Sequence, residues 1–144
     1  MRVARRLVAL FACLQAGATA SAAVEAPFID GAYTMSAQAC TKLQDLAKGT
    51  PRNVSSVPWS VSARGFDHGE GGCAFLHVTE RKKGKEWAIS ARCVEHGPGK
   101  RTPDRYVFTR TSADMFAVRL VTPGTPKADT RAVTYTRCDT GKPK

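Results

Sequence analysis

No apolar run in this chain of 144 residues approaches the ~20 residues that a membrane-spanning helix needs. No transmembrane segment is therefore expected, and the mature chain reads as soluble. Histidine is sparse, with three in all, and no two share one element at the i, i+4 spacing of zinc ligands. No serine lies in a nucleophile elbow and no glycine-rich phosphate loop precedes a helix, which removes two common enzyme signatures. Internal repeats and low-complexity linkers are missing too. Acidic residues are few: 12 Asp and Glu stand against 22 Lys and Arg. The basic surplus is scattered, since no like-charge block is longer than Arg81-Lys82-Lys83. No aromatics alternate with that block as a single-stranded nucleic-acid platform requires, so nucleic acid is a disfavoured partner.

What the chain does have begins at its N-terminus. MRVARR carries Arg2, Arg5 and Arg6, LVALFACLQAGATA is apolar and then small, and Ala20-Ser21-Ala22 closes the stretch in an A-x-A pattern. This is the layout of a secretory signal peptide, with cleavage expected after Ala22 or Ala23 and the product in the periplasm or secreted. The alternative takes Leu10-Phe11-Ala12-Cys13 as a lipoprotein box with Cys13 lipidated, although Phe11 stands where a small residue belongs. Removing residues 1–23 leaves 121 residues, read as one domain over 24–138 and a C-terminal tail over 139–144. The 22 basic residues lose three with the signal, so 19 remain against 12 acids. Outside the cytoplasm that surplus draws a protein toward anionic surfaces such as lipopolysaccharide phosphates or acidic lipids, or simply keeps it in solution.

Cysteine is the most informative residue. Of five, Cys13 leaves with the signal, and Cys40, Cys73, Cys93 and Cys138 remain. An even number in an exported chain implies two disulfides, which leaves no sulfur as metal ligand or nucleophile. Residues 71–93, GGCAFLHVTERKKGKEWAISARC, hold KKGK between two cysteines. Read as a hairpin with the three-residue loop Lys82-Lys83-Gly84, and Gly84 at the positive-φ position, it sets Thr79 opposite Trp87 and His77 opposite Ile89. Phe75 then faces Ala91, and Cys73 faces Cys93. A two-residue loop would put Cys73 opposite Val94. The spacing favours Cys73–Cys93 and leaves Cys40–Cys138; the competing pattern is Cys40–Cys73 with Cys93–Cys138.

Ser36 can cap a helix and Gly49 can end it. Between them Ala39, Cys40, Leu43, Leu46 and Ala47 form one stripe at helical spacing, expected to dock on a sheet. VPWSVSA sets Val57, Trp59, Val61 and Ala63 against Ser60 and Ser62, a half-buried strand. Residues 64–72, RGFDHGEGG, read as a glycine-rich loop, and residues 97–104 and 122–129 as two more. RYVFTRT and MFAVRLV form a hairpin about Ser112-Ala113-Asp114, with Phe108, Phe116, Val118 and Leu120 as core candidates. TRAVTYTRC is the last strand. The expected fold is α+β: an N-terminal helix packed on a curled antiparallel β-meander, or a small open β-barrel, held by two disulfides.

The pattern GCAF, a hairpin with Trp before ARC, a second hairpin and a closing Tyr-x-Arg-Cys resembles small exported bacterial proteins with four cysteines. Its motifs are structural and imply no catalytic or cofactor-binding residue. Gly97-Pro98 and Asp104-Arg105-Tyr106-Val107-Phe108 are also similar to a strand of secreted guanyl-specific ribonucleases, a likeness that would make Arg105 a phosphate-binding arginine. That family needs a histidine on the following strand and a glutamate base. MFAVRLV has no histidine, and Glu80 and Glu86 flank a hairpin tip, so the proton transfers of that reaction have no donor and acceptor.

Among possible general bases, His68 has the most suggestive setting, Asp67-His68-Gly69-Glu70-Gly71-Gly72, with glycines around a base and two acids. His77 is expected on the apolar face of the central hairpin and His96 in a loop. The function expected is that of a non-catalytic exported binding protein of the bacterial cell envelope, recognising an envelope component or a periplasmic protein. Lys82, Lys83, Lys85, Lys100 and Arg101 would be its contacts to an anionic ligand, and no cofactor or metal is called for. The alternative is a small secreted hydrolase, ribonuclease-like, using His68 and nearby acids.

Overall fold

The computed structural model describes residues 22–49, 57–69, 71–94, 103–121 and 131–138. Residues 1–21, most of the segment expected as a signal peptide, the expected tail over 139–144, and His96, Lys100 and Arg101 lie outside the described residues. The elements are β1 (Tyr33–Thr34), α1 (Ala37–Ala47), β2 (Ser60–Ser62), β3 (Gly65–His68), β4 (Gly71–Lys82), β5 (Glu86–Val94), β6 (Pro103–Ser112), β7 (Met115–Leu120) and β8 (Val133–Arg137). Each strand pairs antiparallel with the next, and β1 pairs with β8 through Tyr33 and Arg137. The sheet therefore closes on itself. Among the described residues the fold is a closed eight-stranded β-barrel with one short helix, which replaces the α+β meander and the open barrel suggested by the sequence.

Closure follows from two strands with little sequence signal. β1 has two residues and β3 four. The stretch 64–72, expected as a loop, is a tight hairpin in which Phe66 faces Cys73 and His68 faces Gly71. Its glycines serve close approach: a Cβ on Gly65 would lie 1.8 Å from the Cys73 carbonyl oxygen, and one on Gly71 2.2 Å from that of Val94. Eight strands leave an interior just wide enough for side chains to fill, and here aromatics fill it. Tyr33, Phe66, Phe75, Trp87, Phe108, Phe116 and Tyr135 are all buried, one from each strand except β2, which supplies Val61. Edge-on pairs such as Phe66–Phe75 add about 0.5–1.5 kcal/mol each beyond the area they bury.

Because the barrel fills its own interior, α1 has nowhere to dock inside. It buries no residue, and its contacts are with β1 on the outside. Of the expected docking stripe, Leu43 and Leu46 are half-buried and Ala47 is exposed. The helix ends are those the sequence suggests: Ser36 Oγ accepts from the Ala39 N–H at 3.1 Å, and Gly49 sits at φ 94°. Cys40–Cys138 ties the first turn of α1 to the end of β8, and Cys73–Cys93 bridges β4 and β5. Thr34, fully buried, lies under the first bridge and donates to the Ser36 carbonyl at 2.9 Å.

The central hairpin keeps the expected sulfur pairing while changing register. Cys73 faces Cys93 and Phe75 faces Ala91, but a bulge at Leu76 then sets His77 opposite Ser90, Val78 opposite Ile89 and Glu80 opposite Trp87. A second irregularity at Arg81 sets Lys82 opposite Glu86, so the loop is Lys83-Gly84-Lys85, with Gly84 at φ 65°. The displaced loop and the two inserted residues cancel at the cysteines. His77 consequently faces outward and is exposed, while Val78 takes the place beside Ile89. Leu120, a core candidate, is 42% exposed.

One barrel end is stoppered by residues 24–32. The Val24 N–H donates to the Phe75 carbonyl at 2.8 Å and the Ala26 N–H to that of Ala63 at 2.7 Å, while Ala26 and Ile29 join the core. Arg110 points in at this end and donates to the Phe28 carbonyl at 3.0 Å, with its guanidinium 4.8 Å from the Phe116 ring centre. Asp30 accepts from the Tyr33 hydroxyl at 2.7 Å and pairs with Arg137 at 3.0 Å. The bond from Tyr33, helped by the charge of Arg137, holds the Asp30 carboxyl below its ordinary range. Burial and the same bond push Tyr33 up to about 12. Among the described residues, no helix is long and apolar enough to cross a membrane.

Candidate functional site

The bulge at Leu76 shapes the outer wall of the barrel. Register places His77, Ser90 and Arg105 in one row across β4, β5 and β6, and Thr79, Ala88 and Val107 in the next. Neighbouring strands lie about 4.8 Å apart, so His77 and Arg105 flank Ser90 from either side. These six residues, with Arg81, Val121 and parts of Ile89 and Tyr106, line a cavity of about 300 Å³. Val107 is 5% exposed yet stands apart from the interior cluster, which makes it an apolar floor. The Val121 N–H donates to the Arg105 carbonyl at 2.7 Å and holds the end of β7 alongside.

Charge in this cavity is of one sign. Arg81 and Arg105 are exposed and take part in none of the ion pairs among the described residues, and no Asp or Glu is among the lining residues. Glu86, on the same wall, is engaged by Lys82 at 3.8 Å. Thr79 and Ser90 add hydroxyl donors. Two guanidinium forks, an imidazole and two hydroxyls around an apolar floor suit an anion.

Lys82, Lys83 and Lys85 are exposed at the β4–β5 tip. Lys100 and Arg101 lie outside the described residues. Strand alternation in the sequence sets His77 on the apolar face and brings Arg81 to no site. A signal did exist: the buried positions of β4 shift from Cys73 and Phe75 to the half-buried Val78, while β5 holds Trp87, Ile89 and Ala91 in step. Such a phase change marks a bulge. Arg105, singled out by the ribonuclease likeness, does reach the cavity, but no carboxylate base lies there with it.

His68 stacks on Trp59 with ring centres 4.0 Å apart and planes at 19°. Asp67 precedes it on β3 and so faces the other side of the sheet, Glu70 lies outside the described residues, and Gly71 and Gly72 belong to β4. The expected loop of a base between two acids is therefore a strand pair. Among the described residues, no group of three or more His, Cys, Asp or Glu could hold a metal ion. Inside the barrel the Tyr106 hydroxyl donates to Asp104 at 3.4 Å beside the Cys73–Cys93 sulfurs, and burial, then the nearby carboxylate, hold that phenol well above its ordinary range. Compared with protein families, with curated proteins and with solved structures, the chain matches none.

Proposed function

We propose that this protein is an exported, non-catalytic binding protein of the bacterial cell envelope, holding an anionic envelope component against the outer wall of its barrel. The observation that carries this reading is the cavity where His77, Arg81 and Arg105 converge with no carboxylate among the lining residues. The two disulfides support maturation in an oxidising compartment, and the N-terminal sequence supplies the route there. The exposed tip lysines Lys82, Lys83 and Lys85 extend the cationic surface toward a membrane or polymer. A hydrolase reading has less support, since His68 is engaged with Trp59 and no Asp or Glu lines the cavity that holds His77.

The test uses the mature, oxidised protein and vesicles of anionic or zwitterionic phospholipid across a range of salt. Binding is expected on the anionic vesicles alone, falling steeply between low salt and about 0.15 M, where the Debye length shrinks to about 8 Å. Equal binding to both vesicles, or a flat salt response, overturns the anionic reading. Cleavage of RNA by the pure protein, lost in His68→Ala, overturns the non-catalytic one.

A further inference from the structure

The outer-wall cavity has a more specific chemistry than positive charge. Its donors come from three strands and surround one space: Arg81, His77 and Thr79 from β4, Ser90 from β5 and Arg105 from β6. Each guanidinium can present two parallel N–H groups to two oxygens. A carboxylate has only two oxygens and one charge, and a phosphodiester has one charge and two free oxygens. A phosphate monoester offers three terminal oxygens and a charge of about −1.5 to −2 near neutral pH, enough to engage two forks and the smaller donors together.

Size and lining extend the argument. A cavity of about 300 Å³ sits at the lower end of small-molecule pockets, roughly 300–1,000 Å³, so it holds a head group and not merely an ion. Ala88, Val107 and Val121 give it an apolar side on which a C–H edge can rest. In an unbulged β4 of this sequence His77 would face the interior. The extra residue at Leu76 presents it to the cavity, and bulges recur beside functional sites where a side chain must be re-aimed.

We infer that this cavity is a receptor for a phosphate monoester carried on a small polar group such as a sugar, gripped by Arg81 and Arg105 with His77, Thr79 and Ser90 as further donors. The inference rests on the anionic-ligand reading above and narrows it to one chemistry at one site. Arg105 stands opposite His77 across Ser90, so the phosphate is enclosed between β4 and β6, and the organic part lies over Val107.

Calorimetric titration of the mature oxidised protein with glucose 6-phosphate, glucose 6-sulfate and glucose tests it. Saturable binding of glucose 6-phosphate is expected with a Kd of about 1 mM or tighter, about −4 kcal/mol or better, with the sulfate weaker and no signal from glucose. Arg81→Gln and Arg105→Gln should each weaken binding about tenfold or more. Arg105→Lys, which keeps the charge and loses the fork, should fall between. Lys42→Gln on α1, the same loss of charge elsewhere on the surface, should change nothing, and near-UV circular dichroism checks that each variant keeps its fold.

A second arm separates the sources of the phosphate. If the natural ligand is a lipid head, vesicles bearing a phosphate-monoester lipid should bind more tightly than vesicles of a diester lipid, with Arg105→Gln abolishing the difference. If it is a free phosphosugar, glucose 6-phosphate binds and the two vesicles bind alike. Absence of saturation by glucose 6-phosphate at about 10 mM, together with no preference for the monoester vesicles, overturns the inference. So does equal affinity for the sulfate, or an Arg105→Lys variant that binds as the parent does. Anionic vesicles still bound under any of these results would leave the envelope reading standing while removing this site.

Discussion

Phe28 lies flat on the indole of Trp87, ring centres 4.0 Å apart and planes 3° from parallel. The contact joins a residue outside every strand to the barrel wall, and Phe108 and Phe116 meet the same ring edge-on at 5.8 and 5.6 Å. Residues 24–32 thus act as a stopper for an aromatic interior. Phe28→Ala should lower stability by about 2–3 kcal/mol, somewhat below the ~3–5 of a fully buried Phe, because this ring is only half-buried. Urea unfolding of the oxidised protein measures the loss. Native fluorescence should shift to the red through Trp87, while Trp59, already 46% exposed, contributes little change. A loss below about 0.5 kcal/mol, the range of ordinary surface changes, would mean that the segment is no part of the core.

The two disulfides should separate stability from native structure. Cys40–Cys138 spans 98 residues and Cys73–Cys93 spans 20. In the chain-entropy model a loop near 100 residues is worth about 4.7 kcal/mol and one of 15 residues about 3. Replacing Cys40 and Cys138 by alanine should therefore lower the urea midpoint more. It should nevertheless leave near-UV circular dichroism almost unchanged, since α1 buries no residue. Replacing Cys73 and Cys93 disturbs the barrel wall beside Tyr106 and should alter that spectrum. The reverse order of midpoints would show that packing at the inner bridge outweighs chain entropy.

Features governed by local chemistry were readable in the sequence. Ser36 and Gly49 bound the helix, Phe108, Phe116 and Val118 are core, the turn falls at 113–114, and Cys73 pairs with Cys93, although through a shifted loop and two inserted residues. Closure was not readable. A strand as short as Tyr33–Thr34 has no period to detect, and without β1 and β3 the remaining strands cannot complete a barrel. Gly65, Gly71 and Gly72 looked like flexibility because composition does not distinguish a mobile glycine from one pressed against a neighbouring backbone. The site was hidden for a related reason. A single extra residue at Leu76 reverses the facing of the next residues along β4, and plain alternation therefore places His77 on the core side.

All three tyrosines should resist ionisation in the native protein. Burial is the leading cause for each, raising Tyr33 to about 12 and lifting Tyr106 and Tyr135 above their ordinary range as well. A group whose folded value lies above its unfolded one lends stability that is complete below the unfolded value, about 10. That stability is lost as pH rises toward and through the folded value. Asp30 works in the opposite sense: its depressed carboxyl lends stability above the unfolded value near 4, lost as pH falls. Phenolate absorbance of the native protein should therefore stay flat through pH 10 and rise later together with unfolding, while the urea-unfolded chain titrates near 10. A phenolate appearing near pH 10 with intact near-UV circular dichroism would contradict this.

Deleting Leu76 should be tolerated, although it removes a residue from the middle of the longest strand. Leu76 is the residue by which β4 exceeds β5 between the Phe75–Ala91 and His77–Ser90 pairs. Without it the ladder runs unbroken, with Cys73 and Phe75 inward, His77 outward and Val78 inward. The loss is one half-buried leucine, about 1–2 kcal/mol by burial. Deleting Val78 instead reverses Thr79 and Glu80 relative to Ile89 and Trp87, places Thr79 against the aromatic interior and moves the tip out of register. The expected outcome is a Leu76 deletion that forms Cys73–Cys93 and unfolds in one cooperative transition, and a Val78 deletion that does neither. Equal damage from both would mean that the bulge is needed for the curvature that closes the barrel, and not only for the direction in which His77 points.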